Sequence, residues 1–265
     1  MQWFRNYLPD SSLSITDRGL SYGDGLFETI ATHSGYIPKL AIHQARIKRG
    51  CRRLGFNISP EQWQICWAFI AQQALKNPNC GIKLMLTRGS GGRGYRPPTD
   101  AAYEFLVGVF DAPNYSQQRS EGVSLVTSRI QTSINPSLSG MKHLNRLENV
   151  LAKQELADRA YEAVMLDANG HVIECVQSNI FWITRGELFT PALSKSGVQG
   201  SCRTSILSNF VGSVNVGNFS LASLQQADEI FVSNALSGIL PVVKFDDRIL
   251  QLGKLTRTLM DQVNT

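Results

Sequence analysis

The sequence predicts an α+β protein of two domains, and three observations carry the prediction. Apolar strand patterns and amphipathic helical patterns are mixed in two blocks, which suits an α+β arrangement. Between the blocks the composition turns polar, in the stretch DAPNYSQQRS, as a connection between compact units does. The chain has 265 residues, 43% hydrophobic and 18% charged, enough for one large domain or two smaller ones. The expected division is 1–112 for a small N-terminal domain, 113–120 for a linker, and 121–265 for a larger C-terminal domain.

In chain order, FETIATHSGYIPKL reads as a hairpin turning at Ser34-Gly35. LAIHQARIKRGCRRLG has helical spacing and ends at Gly55, a suitable C′ residue. Ser59-Pro60-Glu61 supplies an N-cap, a first-turn proline and an early acid, opening a helix to about Leu75. GIKLMLTRG and YEFLVGVF are strands on either side of a glycine-rich loop. The second block starts with strand VSLVTS, then a helix from Arg146 to Arg159. YEAVMLDANGHVIECV is a hairpin turning at Ala168-Asn169-Gly170. SNIFWIT, GELFT, EIFVSN and GILPVVKF are further strands, with a helix near Arg203 to Phe210 and a last one over LGKLTRTLMDQVNT.

The net charge is 26 − 21 = +5. The densest basic run, Arg46 to Arg53, lies on a helical pattern and reads as a solvated face; no nucleic-acid-binding motif accompanies it. Five scattered cysteines read as reduced interior thiols, and four scattered histidines give no metal-ligand spacing. No apolar run approaches the length of a membrane span, and the first residues lack a secretory pattern. The expectation is a soluble, cytoplasmic protein without a metal, nucleic-acid partner or membrane anchor.

Taken singly, the residues that could carry chemistry have ordinary readings. Lys142 in SGMKHLNRLEN is one lysine among many, and most lysines are solvated. Arg46 reads equally well as a helix-surface arginine. Glu174 in HVIECVQSN is odd, because a carboxylate on an apolar strand needs either a partner or an edge position facing water.

The ordered set DRGLSYGDGLFET, HQARI, TRGSGGRGY, GMKHLNRLE, VIECVQSNIFW, GVQGSCR and ADEIFVSNAL resembles the fold-type IV pyridoxal-phosphate enzymes. That family includes branched-chain aminotransferases, D-amino-acid aminotransferases and aminodeoxychorismate lyases. The resemblance runs from Asp17 to about Val242, and RGSGGRGY with MKHLNRLE is most similar to the lyases. It implies a small N-terminal α/β sandwich and a larger barrel-like C-terminal domain. It also implies pyridoxal 5′-phosphate as cofactor and a homodimer. In the lyases the reaction converts 4-amino-4-deoxychorismate to 4-aminobenzoate and pyruvate for folate biosynthesis; the alternative within the family is a D-amino-acid or branched-chain aminotransferase.

By the same resemblance Lys142 matches the lysine that condenses with the cofactor aldehyde, a reaction an amine can perform. Glu174 matches the acid beside the pyridine nitrogen, where a carboxylate favours the protonated ring. Arg46 matches the arginine that clasps the phosphate, and Val198 the residue packed on the ring. The amides of Ser201 and Cys202 match a phosphate cup at a helix start, with Asn179, Asn234 and Ala235 completing the cofactor contacts. Arg93, Tyr95, Phe27 and Thr29 are the expected substrate contacts. Where the D-amino-acid aminotransferases carry Arg-x-His, this loop reads Arg93-Gly94-Tyr95. Leu147 stands in place of a tyrosine of the branched-chain aminotransferases, and Ala235 in place of a threonine; Val176 and Ser201 also depart from the wider pattern. These departures count against a branched-chain aminotransferase.

Overall fold

A computed structural model describes residues 1–263. The chain forms two compact units, and the first takes Met1–Pro113 together with Met141–Asn145. It contains β1 (Gln2–Arg5), β2 (Leu8–Pro9), α1 (Arg18–Tyr22), β3 (Gly25–Ala31), α2 (Leu40–Leu54), α3 (Pro60–Lys76), β4 (Cys80–Thr87) and β5 (Glu104–Asp111). The strands make one antiparallel sheet in the order β2-β1-β5-β4-β3.

Period-two alternation sorts this sheet into two faces. Leu26 and Ile30 of β3, Ile82, Leu84 and Leu86 of β4, and Val107 of β5 are fully buried, and the pairing puts them on one face. The α2 residues His43, Arg46, Ile47, Gly50 and Cys51 are buried at helical spacing, as packing on that face requires. At Gly50 there is no room for a side chain between helix and strand, since a Cβ there would lie 2.7 Å from Leu26 Cδ1. On the other face, Phe27 and Thr29 pair with Met85 and Lys83.

β3 differs from its expected role as one arm of a local hairpin. It pairs with β4, some fifty residues on, from Gly25↔Thr87 to Ala31↔Gly81. The Ser34-Gly35 turn is present, with His33 bridged to Tyr36, but the chain then enters α2. The other edge of β3 is covered by Lys142–Leu144: Phe27 N–H donates to Lys142 C=O at 2.8 Å, and Leu144 N–H donates to Gly25 C=O at 3.0 Å.

The second unit takes Asn114–Gly140 and the chain from Arg146 onward. Part of the expected linker is helical, as α4 (Ser116–Glu121), and Arg119 donates from Nη2 to Ser237 C=O at 3.0 Å. There follow β6 (Val123–Thr127), α5 (Leu147–Leu156), β7 (Glu162–Leu166), β8 (Val172–Cys175), β9 (Asn179–Thr184), β10 (Glu187–Pro191), α6 (Ser201–Asn209), β11 (Val214–Gly217), α7 (Leu221–Gln225), β12 (Glu229–Asn234), β13 (Gly238–Phe245), β14 (Arg248–Ile249) and α8 (Lys254–Val263). Asn264 and Thr265, within the expected last helix, lie outside the described residues.

Its strands run in the order β11-β10-β9-β12-β13-β6-β7-β8, with β14 on β13. β8 is thus five strands from β9, about 24 Å across a flat sheet. Yet only Val176–Ser178 separate them, and four residue steps span at most about 14 Å. The sheet must therefore curl until its β8 edge approaches β9. Alternate residues fill the two sides: Ile180, Trp182, Ile230 and Val232 belong to one cluster. Phe181, Ile183 and Phe231 pack with Cys202 and Ile206 of α6 and Leu259 of α8 in another. Burial on both faces explains why the run Ile180–Ile183 within β9 is continuously apolar.

All five cysteines are buried, and none forms a disulfide. Among the described residues no helix is long and apolar enough to cross a membrane.

The start of α3 carries a complete capping box, with Gln62 N–H on Ser59 Oγ at 3.2 Å and Ser59 N–H on Gln62 Oε1 at 2.9 Å. Ser59→Ala removes one half of it and is expected to destabilise the fold by about 1 kcal/mol. A lower denaturation midpoint, measured by urea titration, checks this.

Candidate active site

In the first unit, Lys142 is placed by the strand it borders. Its carbonyl is bound by Phe27 N–H, and its Nζ lies 4.3 Å from the centre of the Phe27 ring. Lys83 Nζ approaches the same ring at 5.6 Å, and Lys83 is paired directly with Thr29. The structure therefore brings together Lys142, Phe27 and Thr29 of the expected residues, and adds Lys83. A cation near the ring face is attracted by the ring's quadrupole, so Phe27 helps to orient the lysine.

Arg46 meets β3 on its helix-facing side. It grips Glu28 with two nitrogens, Nε on Oε1 at 2.7 Å and Nη2 on Oε2. His43 Nδ1 lies 2.7 Å from the same Oε2. All three side chains are buried, Glu28 with no exposed surface. Burial alone would raise the Glu28 pKa, but the charge and hydrogen bonds of Arg46, with His43, outweigh it and hold the group at about 2. The sequence reading missed Glu28 and His43, although a signal was there. In GLFETIA the acid sits at the inward period-two position between Leu26 and Ile30, as odd a place as that of Glu174.

Arg93 and Tyr95 lie in the loop between β4 and β5, and both are exposed, Tyr95 to 88%.

In the second unit, β8 is buried throughout and carries Glu174, which is 5% exposed. Glu174 Oε2 accepts Val198 N–H at 2.9 Å. Asn179 holds the same loop, donating from Nδ2 to Val198 C=O at 2.8 Å and accepting Gly200 N–H on Oδ1 at 3.0 Å. Gly140 and Gly197 add a backbone bond of 2.8 Å. Three segments thus fix the turn that leads into α6. That helix begins at Ser201, with Gly200 as an N-cap that offers no side chain. Its first-turn amides have no intrahelical acceptors. Ser201 Oγ, on a residue 2% exposed, has no hydrogen-bond partner. An orphaned hydroxyl at a buried helix start is what a phosphate group would satisfy.

Asn234 organises the β12–β13 turn, where its Oδ1 accepts Leu236 N–H at 2.9 Å and Ser237 N–H at 2.8 Å. Ala235 sits inside this turn. The neighbouring Ser233 Oγ is also buried without a partner.

Two arginines that the sequence reading passed over lie in the field of Glu174. Burial lowers the Arg203 pKa to about 10, and Glu174 opposes the shift. Burial likewise lowers that of Arg146, against Glu174 and Glu148. A second buried acid, Glu162 at the start of β7, accepts Gln177 N–H at 3.1 Å. Burial raises it to about 7 despite the Ser178 hydroxyl and the Gln177 amide, with Lys153 also lowering it and Glu174 raising it.

A buried acid tied to the turn before an uncapped helix start, with an unsatisfied hydroxyl there, is an arrangement that suits an anionic small molecule. The chain belongs to the amino-transferase class IV family, whose model matches residues 25–245. It is 36% identical to the aminodeoxychorismate lyase of Vibrio harveyi, over 98% of each chain. The crystal structure of 4-amino-4-deoxychorismate lyase from Pseudomonas aeruginosa superposes with a TM-score of 0.91 at 36% identity, covering 98% of this chain and 97% of that one. The branched-chain amino acid aminotransferase of Escherichia coli shares the fold, with a TM-score of 0.85 at 22% identity, covering 98% and 92%. The fold is thus the two-domain α+β fold-type IV architecture.

The two buried acids predict opposite pH responses. Glu28 falls from 4.5 to about 2 on folding, so its stabilisation is complete above about pH 4.5 and lost as pH drops through 2. Glu28→Gln should abolish roughly 3 kcal/mol of that acid-side dependence. Glu162 rises from 4.5 to about 7, so wild type is stabilised below pH 4.5 and loses that stability as pH rises through 7. Relative to wild type, Glu162→Gln should therefore gain roughly 3 kcal/mol between pH 4.5 and 8. Denaturation midpoints across pH 2–8 read both slopes.

Proposed function

We propose that the chain is a pyridoxal-phosphate-dependent lyase converting 4-amino-4-deoxychorismate to 4-aminobenzoate and pyruvate. The observation that carries the reading is the buried Glu174, tied to the loop that opens an uncapped helix with an unsatisfied Ser201 hydroxyl. Those features suit a ring nitrogen at one end and a phosphate at the other. The lyase names of the two relatives at 36% identity favour this chemistry over amino-group transfer.

In this reading Lys142 binds the cofactor through its amine, Glu174 faces the ring nitrogen, and Val198 packs on the ring. The amides of Ser201, Cys202 and Ala235 hold the phosphate. Arg46 adds positive charge, and Asn179 and Asn234 shape the loops that carry the amides. Pyridoxal phosphate, when bound, supplies an electron sink for negative charge developing beside the substrate nitrogen. Once the substrate's amine has displaced it from the cofactor, the freed Lys142 Nζ would take the proton from the carbon that bears that amine. The carbon–oxygen bond of the neighbouring ether breaks, and the ring becomes aromatic. The same Nζ returns its proton to the methylene carbon of the departing three-carbon enolate, which becomes pyruvate. To act as base Nζ must be neutral, and desolvation beside positive charge favours that form. Phe27 and Thr29 contact the substrate, and Arg93 and Tyr95 meet its carboxylates. The working form is a homodimer.

The test supplies purified protein with 4-amino-4-deoxychorismate and measures both products. Equal amounts of 4-aminobenzoate and pyruvate are expected. Amino-group exchange between D-alanine or a branched-chain amino acid and a 2-oxo acid, with no 4-aminobenzoate, would replace the lyase by the aminotransferase alternative. Lys142→Ala should abolish turnover while the fold persists. Glu174→Gln should keep the cofactor but cost about two orders of magnitude in kcat, corresponding to roughly 3 kcal/mol of barrier.

A further inference from the structure

The loop that carries Arg93 and Tyr95 is gripped from beneath by one buried side chain. Arg18, the first residue of α1, is 4% exposed. Its Nη1 donates to the carbonyls of Gly94 at 3.0 Å, Gly91 at 3.4 Å and Arg96 at 3.5 Å, and its Nη2 to that of Tyr95 at 3.1 Å. Its Nε donates to Asp24 Oδ2 at 3.0 Å. Asp24 Oδ2 also accepts Arg88 Nε at 2.7 Å, and Arg88 Nη2 reaches Leu54 C=O at the end of α2 at 2.7 Å. Arg18 lies 4.8 Å from the centre of the Tyr22 ring, which in turn makes an edge contact with Tyr95. Only a planar guanidinium has enough fixed donors to serve four carbonyls and a carboxylate together.

The physical problem this clamp addresses is entropy. Gly89, Gly91, Gly92 and Gly94 all have positive φ, and a stretch so rich in glycine loses much conformational freedom when ordered. At Gly92 a Cβ would lie 2.4 Å from Arg96 O, so the tip is also too tight for a side chain. Arg18 binds only backbone there, so the side chains of Arg93 and Tyr95 stay exposed. The loop backbone is held by the protein's own contacts.

We propose that Arg18 is a positioning residue for substrate, holding residues 91–96 so that Arg93 and Tyr95 meet the substrate's carboxylates already ordered. This rests on the reading of Arg93 and Tyr95 as substrate contacts. Preorganisation lowers the ordering cost of binding and leaves the chemical step alone.

The test compares Arg18→Lys, Gly92→Ala and Arg93→Ala as holoenzymes. Lysine keeps a charge for Asp24 but lacks the fork, and Gly92→Ala disturbs the same loop from its own backbone, where a Cβ would lie 2.4 Å from Arg96 O and 3.3 Å from Arg18 Nη1, while the Arg18 side chain keeps all its donors. Both are expected to raise KM roughly tenfold, with kcat and cofactor affinity unchanged. Both should also be cut faster by trypsin after Arg93 than wild type. If Arg93→Ala has a wild-type KM, the loop does not meet substrate, and this inference falls with the reading beneath it. If Arg93→Ala raises KM while a folded, readily cut Arg18→Lys does not, the reading stands and the inference alone is overturned. A fall in kcat and cofactor affinity alongside KM would likewise overturn it, as a general structural effect. Should Arg18→Lys fail to fold, Gly92→Ala decides in its place by the same criteria.

Discussion

The backbone pairing between Lys142–Leu144 and the edge of β3 is the contact on which the proposed chemistry rests. An edge strand leaves a row of unpaired amide and carbonyl groups. Here Phe27 N–H and Gly25 C=O are both answered by a segment far along the chain. The same two bonds that protect the edge deliver Lys142 to the Phe27 ring. A lysine side chain has many rotamers and binds as a point charge, so it needs such a fixed base. The backbone supplies the position and the aromatic face narrows the orientation.

Buried carboxylates set the second constraint, and the chain balances them in different ways. Glu28 is matched by an arginine and a histidine and stays ionised far below neutral pH. Glu162 has hydrogen bonds but weak charge compensation, so burial prevails and its pKa rises to about 7. Glu174 accepts a backbone amide within the fields of Arg146 and Arg203. Removing one partner of a buried charge costs more than the pair is worth. Replacing Arg46 would thus harm the fold through Glu28 as well as any anion it serves.

The loops that bear the proposed contacts share one mode of construction. Asn179 binds both sides of Val198–Gly200, Asn234 binds two amides of its own turn, and Arg18 binds four carbonyls. In each case a side chain from a strand or helix spends its polar atoms on loop backbone. Such loops present amides or side chains in a set geometry, which an anionic ligand can meet without reordering them.

Local pattern made much of this legible. Apolar strand runs marked β3, β4 and β5, and the Ser59-Pro60 start and Gly55 stop bounded α3 and α2 as the structure has them. The order of short motifs marked Lys142 and Glu174. Short elements such as α1, β1 and β11 were not legible, because four or five residues carry too little periodicity. The sequence by itself determined which residues turn inward, because periods of 2 and 3.6 follow from backbone geometry alone. Only the tertiary structure decided what each inward residue meets: β4 rather than a local arm for β3, Arg46 for Glu28, and loop backbone for Arg18 and Asn179. Those partners are set by long-range pairing and packing, and a residue's own neighbours in the chain carry no record of them.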